Sequence, residues 1–254
     1  MKRTRREFIA ALAAGLGAGL LPPRLAWAFG AASKVDIAEL DLGDGTLSRP
    51  DSWKRLLYEV VHTTSVDCEP RSVHLKPDDP QLFEHPFAVL LGNDHFELPN
   101  ETGLAQLSRY LSYGGFLFID ETTGSDTSGF DESVRRLCNV LFPTRPLSPL
   151  PSDHSIFRSF FLLHEPVGRV ARFDYLEGVT VGNVTPVVYN RNDLSGALER
   201  GPDGRHRYPC VPGGEWQRRE AIKLGINLML YALTANYKKD QAHVRQLMLE
   251  GRLE

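Results

Sequence analysis

The segment from Phe87 to Asp120 places the tightest constraint on how this chain can fold. Phe87-Ala88-Val89-Leu90-Leu91 and Phe116-Leu117-Phe118-Ile119 are apolar runs without polar alternation, as expected of strands covered on both faces in a parallel sheet. Between them Leu104, Leu107 and Leu111 recur at helical spacing and Pro99 suits a first helical turn. Gly114-Gly115 can take the positive φ angles that end a helix. Strand, helix and parallel strand within about 30 residues make a βαβ crossover. The expected fold is α/β, a doubly wound and mostly parallel sheet with helices on both faces.

The flanking sequence repeats the theme. Val35 to Leu40 alternates like a strand, and Trp53, Leu56, Leu57, Val60 and Val61 share one helix face, with Asp51 or Ser52 as its cap. Further strands are expected at Arg71–Leu75 and Thr185–Tyr189, with a pair of short strands within Val167–Val181. Ser128 or Asp131 opens a helix carrying Val134, Leu137, Val140 and Leu141. The longest helix is expected over Glu215–Ala235, with Trp216, Ala221, Leu224, Leu228 and Tyr231 facing inward, and a weaker tail helix over Gln241–Leu253.

Ligands in open α/β sheets bind beyond the carboxyl ends of the strands. Asp94-His95 and Asp120-Glu121 follow two strands that the crossover makes neighbours, and are therefore the candidate catalytic or metal-ligating residues. If the proline-rich stretch Pro143–Pro151 folds back over that crevice, His154 joins them as a ligand or proton shuttle. The structural alternative has Asp120 and Glu121 capping the following loop, and Asp153 capping the turn at His154. Asn190, Asn192 and Asp193 leave a later strand in the same manner. Ser125, Ser128 and Ser195 lack a G-x-S-x-G setting, Gly43-Asp44-Gly45 lacks the Lys-Ser or Lys-Thr of a phosphate loop, and the remaining histidines are scattered.

At the N-terminus, Lys2, Arg3, Arg5 and Arg6 precede the apolar run Phe8–Leu21 and an A-x-A type site at Ala26-Trp27-Ala28. Thr4-Arg5-Arg6-Glu7-Phe8-Ile9 resembles the twin-arginine export signal, with Arg5 and Arg6 as its core. The run has 14 residues, three of them glycine, against the roughly 20 that a spanning helix needs. The expected organisation is a cleaved signal peptide over 1–28, a linker over 29–34, one domain over 35–237 and a helical tail over 238–254. It implies passage through the twin-arginine translocon and a periplasmic or other extracytoplasmic location, with no stable transmembrane segment after cleavage.

Cleavage removes five positive charges and one negative, taking the formal charge from -3 to -7. An acidic domain without a basic stripe argues against nucleic acid as a partner. The three cysteines Cys68, Cys138 and Cys210 lack C-x-x-C spacing, and Cys138 falls in the apolar pattern of a helix.

Six words taken in order, LLGNDHFEL, YLSYGGFLFIDE, FDESVRRL, PLPSDHSIFRSFF, VVYNRNDLSGALE and LGINLMLYALT, resemble the bacterial family known as domain of unknown function 4159 over residues 34 to 237. The resemblance implies a class I glutamine amidotransferase-like, flavodoxin-like fold. It also implies gene neighbourhoods with MoxR-type ATPases and von Willebrand factor A domain proteins, and a return of Glu199 toward the site. Where catalytic amidotransferases carry a cysteine at a strand-to-helix elbow, this chain has Asp120-Glu121-Thr122, so glutaminase chemistry has no thiolate. Two functions follow as expectations. The first is an envelope binding or assembly module with partners such as von Willebrand factor A domain proteins. The second is a metal-assisted hydrolase using a divalent ion at Asp94, His95, Asp120 and Glu121, with His154.

Overall fold

A computed structural model of the protein describes residues 34–125 and 128–249, with side chains through Thr234. The leader with Arg5 and Arg6 lies outside the described residues. In chain order the elements are β1 (Val35–Leu40), β2 (Thr46–Leu47), α1 (Pro50–Thr63), β3 (Cys68–Leu75), β4 (Phe87–Gly92), α2 (Glu101–Ser112), β5 (Phe116–Glu121), α3 (Gly129–Leu141), β6 (Ser148–Pro149), β7 (Glu177–Val181), β8 (Val184–Asn190), α4 (Leu194–Leu198) and α5 (Gly214–Leu249). Short 3₁₀ turns cover Pro80–Glu84 and Ser155–Arg158.

The sheet order is β3-β1-β4-β5-β8-β7-β6, and β3, β1, β4, β5 and β8 are mutually parallel. Those five strands follow the flavodoxin-like order, with the direction of winding reversing between β1 and β4. The hairpin β7–β8 and the short β6 extend the sheet in antiparallel fashion. Helices α1 and α5 bury Trp53, Leu56, Leu57, Leu224 and Leu228 against one face. On the other, α2 and α3 bury Leu107, Leu111, Phe130, Val134 and Cys138. Strand β5 is buried at every residue, its apolar run Phe116–Ile119 as expected and the two carboxylates that follow it as well.

Local chemistry explains the boundaries. Asn100 caps α2 by accepting from the Gly103 amide at 2.8 Å, and Ser128 caps α3 by accepting from Asp131 at 3.1 Å. Helix α1 opens on Pro50 with no side-chain cap, so neither Asp51 nor Ser52 has the expected role, and Ser52 is buried. Gly114 has φ 111°, which turns the chain from α2 into β5. Within Val167–Val181 only β7 is a strand, and Val170 makes an isolated bridge to Val211. The helix expected over Glu215–Ala235 and the expected tail helix from Gln241 to Leu249 are one element, α5, because no proline interrupts Gly214–Leu249; the rest of the expected tail lies outside the described residues. Trp216 is 55% exposed, because in this turn of α5 it is Gln217 and Arg218 that point inward, 1% and 3% exposed.

At the carboxyl edge, β1 and β4 pair only as far as Glu39 and Val89. Beyond that point β2 pairs with Leu91 and Gly92 of β4. Glu39, 1% exposed, accepts from the Ser48 hydroxyl and the Arg49 amide, both at 2.9 Å. The crevice where the winding reverses is thus lined by the chain's own β2 connection, and the polar groups of interest gather beyond β5 and β8.

Candidate functional site

Successive side chains of a strand point to opposite faces, and this decides the fate of the Asp120-Glu121 pair. Asp120 follows Phe116 and Phe118 onto the α1/α5 face, whereas Glu121 follows Leu117 and Ile119 onto the α2/α3 face. Both are fully buried. The sheet lies between them, so the expectation that they share one crevice is corrected.

Asp120 is wrapped by donors. Its Oδ1 accepts from Asn190 Nδ2 at 2.8 Å and the Leu194 amide at 2.9 Å, and its Oδ2 accepts from the Ser195 amide at 2.8 Å. Asp193 caps α4 by accepting from the Gly196 amide at 2.9 Å, from a left-handed backbone at φ 55°. Together the two carboxylates satisfy the first three amides of α4, groups that helix geometry leaves without intrahelical partners. Burial, then the Asp193 charge, push the Asp120 carboxyl up to about 6 against the pull of its hydrogen bonds.

Two arginines balance Asp193. Arg49 Nη1 reaches its Oδ1 at 2.5 Å and Ser195 Oγ at 3.0 Å, while Arg169 Nε pairs with Oδ2. Their guanidinium carbons stand 5.3 and 5.8 Å from the centre of the Tyr208 ring. Burial would lower the Arg49 pKa, but Asp193 and Asp120 hold it above the ordinary value. Asn192 ties the 166–173 loop to this crest: Oδ1 accepts from the Arg172 and Phe173 amides, and Nδ2 donates to the Pro166 and Phe173 carbonyls, at 2.7–3.1 Å. Glu199 does come back toward the crest, where it meets Ser52, whose hydroxyl also lies 2.8 Å from the Ser195 carbonyl.

Glu121 has a different setting. Its Oε1 accepts from the Thr123 amide at 3.0 Å and from the Thr123 hydroxyl, and burial raises its pKa. Among the described residues, Glu121 Oε2 and the Tyr189 hydroxyl are buried without a hydrogen-bond partner.

The remaining candidates lie apart. Asp94 is exposed and accepts from the His95 amide at 2.7 Å. The His95 ring, 44% exposed, meets Ser133 Oγ at 3.0 Å and Arg136 Nη2 at 3.1 Å on α3, so a guanidinium faces the nitrogen a metal would need. His154 sits at the other end of β8, with Nε2 3.0 Å from Thr185 Oγ1 and Nδ1 accepting from the Ile156 amide at 3.2 Å. Thr185 and Asn190 are five strand residues apart, roughly 16 Å. The Pro143–Pro151 stretch therefore does not bring His154 over the crevice, and it is His154, not Asp153, that caps the turn. Asp94, His95, Asp120, Glu121 and His154 do not converge on one metal or reaction centre.

Sequence reading missed Arg49, Arg169 and Tyr208, which come from three separate connections. The available signal was Asp193, an N-cap residue type three positions before Gly196.

Cys68, Cys138 and Cys210 are buried, and burial pushes the first two thiols up to about 11 and about 12 and raises the third. The native protein at pH 8 is expected to resist iodoacetamide for as long as the urea-unfolded chain takes to react at all three positions. Rapid labelling of the native protein at any of them would restore a thiolate to consideration.

A family model described as Domain of unknown function (DUF4159) matches residues 36–233. No curated protein matches the chain.

Proposed function

The chain belongs to the DUF4159 family, and we propose that it is an exported binding or assembly module of the bacterial cell envelope, amidotransferase-like in fold and without a nucleophile. One observation supports this reading above the others: Asp120, the carboxylate best placed for chemistry, has three donors fixed on it and holds α4 in place. The leader carries the export part of the proposal, with the twin-arginine translocon as the transient partner. Envelope proteins such as those with von Willebrand factor A domains are the proposed lasting ones.

The unpartnered Glu121 Oε2 favours a second reading, a hydrolase in which Glu121 acts as acid or base beside Tyr189. The donor sets do not fit a single metal centre, so no step of that reading runs through an ion. Both readings meet in one experiment. The protein purified from the periplasm is assayed for metal content, melted with and without chelator and added divalent ions, and screened on ester, amide and phosphoester substrates. The binding module predicts no stoichiometric metal, unmoved melts and no turnover. Turnover that Glu121→Gln abolishes without lowering the melting temperature would overturn it in favour of the hydrolase.

A further inference from the structure

Far from the crest in function, though on the same face of the sheet, α1 and α5 enclose a groove of about 440 Å³. Its volume lies in the range of small-ligand sites. Among the described residues, Arg55 of α1 and Arg218, Arg219 and Lys223 of α5 line it with two acids, Glu59 and Glu215, and a third, Glu220, pairs with Lys223 from beside it. This excess of positive charge stands on a chain whose formal charge is -3.

The donors in and beside the groove outnumber their acceptors. Arg55 pairs through Nη2 with Glu59, Arg218 is engaged by Glu215 at 3.0 Å and the Tyr208 carbonyl at 2.8 Å, and Lys223 by Glu220 at 2.7 Å. Arg219 is exposed and lies near enough to Glu215 for their charges to interact. Arg55 Nε, Arg200 Nε and His206 Nδ1 are buried without a hydrogen-bond partner among the described residues. Arg200 and His206 face each other across an isolated bridge, and His206 lines the groove. Native proteins leave few buried polar atoms unpaired, and several together ask for a missing acceptor. Burial, followed by the charges of Arg218 and Arg200, lowers the His206 pKa, a sign of like charge crowded on one spot.

The apolar lining is interleaved with these cations on α5 and completed by one side chain from outside it. Ile222 and Ile226 lie one turn apart on α5, and Phe161 stands beside them with Lys223 Nζ 5.7 Å from its ring centre. We propose that this groove binds an amphiphilic anion, with a phosphate or carboxylate head on Arg55, His206 and Arg219 and an alkyl or acyl body against Phe161, Ile222 and Ile226. Guanidinium groups suit such heads because their planar donors match two oxygens at once. The proposal stands whether the crest is a scaffold or an active site.

The test titrates octyl phosphate into the full chain by calorimetry, with inorganic phosphate and octanol as head-only and tail-only probes. Saturable one-site binding is expected, about tenfold or more tighter than either half alone. Arg219→Glu, on an exposed helix position, should weaken it about tenfold or more at an unchanged melting temperature, and Arg55→Met, which also releases Glu59, should weaken it comparably. Phosphatidylglycerol vesicles identify the source of the head. Co-sedimentation that Arg219→Glu abolishes points to a membrane lipid, and octyl phosphate binding without co-sedimentation points to a free anion. The proposal is overturned if octyl phosphate shows no saturable binding, if either half binds as well as the whole, or if both variants bind like the wild type.

Discussion

Asp120→Ala should destabilise the protein, and by more at pH 4.5 than at pH 7. The substitution strands the Leu194 and Ser195 amides and the Asn190 amide nitrogen, all buried. Each stranded donor costs roughly 1–3 kcal/mol. The ionised carboxylate carries its own penalty, because burial and Asp193 push its pKa up to about 6 from 3.8. A raised acid pKa means that the folded state holds a proton the unfolded state has released. This group's contribution therefore falls as pH rises from about 4 to about 6, by on the order of 3 kcal/mol. The alanine variant loses that slope together with the hydrogen bonds. The gap between the two proteins should be roughly 4 kcal/mol at pH 4.5 and shrink to about 2 kcal/mol at pH 7. Urea melts of both proteins at both pH values measure it, and the subtraction cancels the titrating groups remote from Asp120 and its charge partners Asp193 and Arg49. If the variant matches the wild type at both, Asp120 is not the scaffold of α4, and a binding or catalytic role becomes the better account.

How much of this was legible beforehand follows from the range of the interactions. Strands β4 and β5 and helices α2 and α3 declared themselves through apolar runs, spacing and caps, all contained within a few residues. The location of the crest was legible too, since chain order and the crossover put Asp120 and Asn190 at the same edge. Its use was not. Period-two alternation already sends Asp120 and Glu121 to opposite faces, and grouping them by sequence adjacency overrode that rule. Pairing Arg49 with Asp193 spans 144 positions, and no local pattern marks which arginine closes on which carboxylate. His154 was misplaced for a related reason: a proline-rich stretch breaks helices, but nothing in it fixes the direction in which the chain returns.

Gly168→Ala tests the crest from outside its carboxylates. A Cβ at this position would stand 2.0 Å from the Asn192 carbonyl oxygen and 2.6 Å from its carbon, both backbone atoms with no rotamer to yield. The approach is close because two backbone hydrogen bonds hold the segments together, from the Arg169 amide to the Asp193 carbonyl at 2.8 Å and from the Val170 amide to the Asn192 carbonyl at 3.1 Å. On its other side the Gly168 carbonyl accepts from Gln217 Nε2 of α5 at 2.8 Å, so the loop cannot simply retreat. Alanine should cost about 3 kcal/mol or more and lower the melting temperature by about 6 °C or more. Arg169→Met provides the contrast. It removes one ion pair from Asp193, the long hydrogen bonds to the Thr122 and Thr123 carbonyls and the contact with Tyr208, but leaves Arg49 and the loop's backbone contacts in place, so its cost should stay at about 2 kcal/mol. If Gly168→Ala cost no more than Arg169→Met, the arginine would be the whole connection. A clearly larger cost would mean that the close backbone approach, which no side-chain chemistry supplies, is what seats the 166–173 loop on the end of β8.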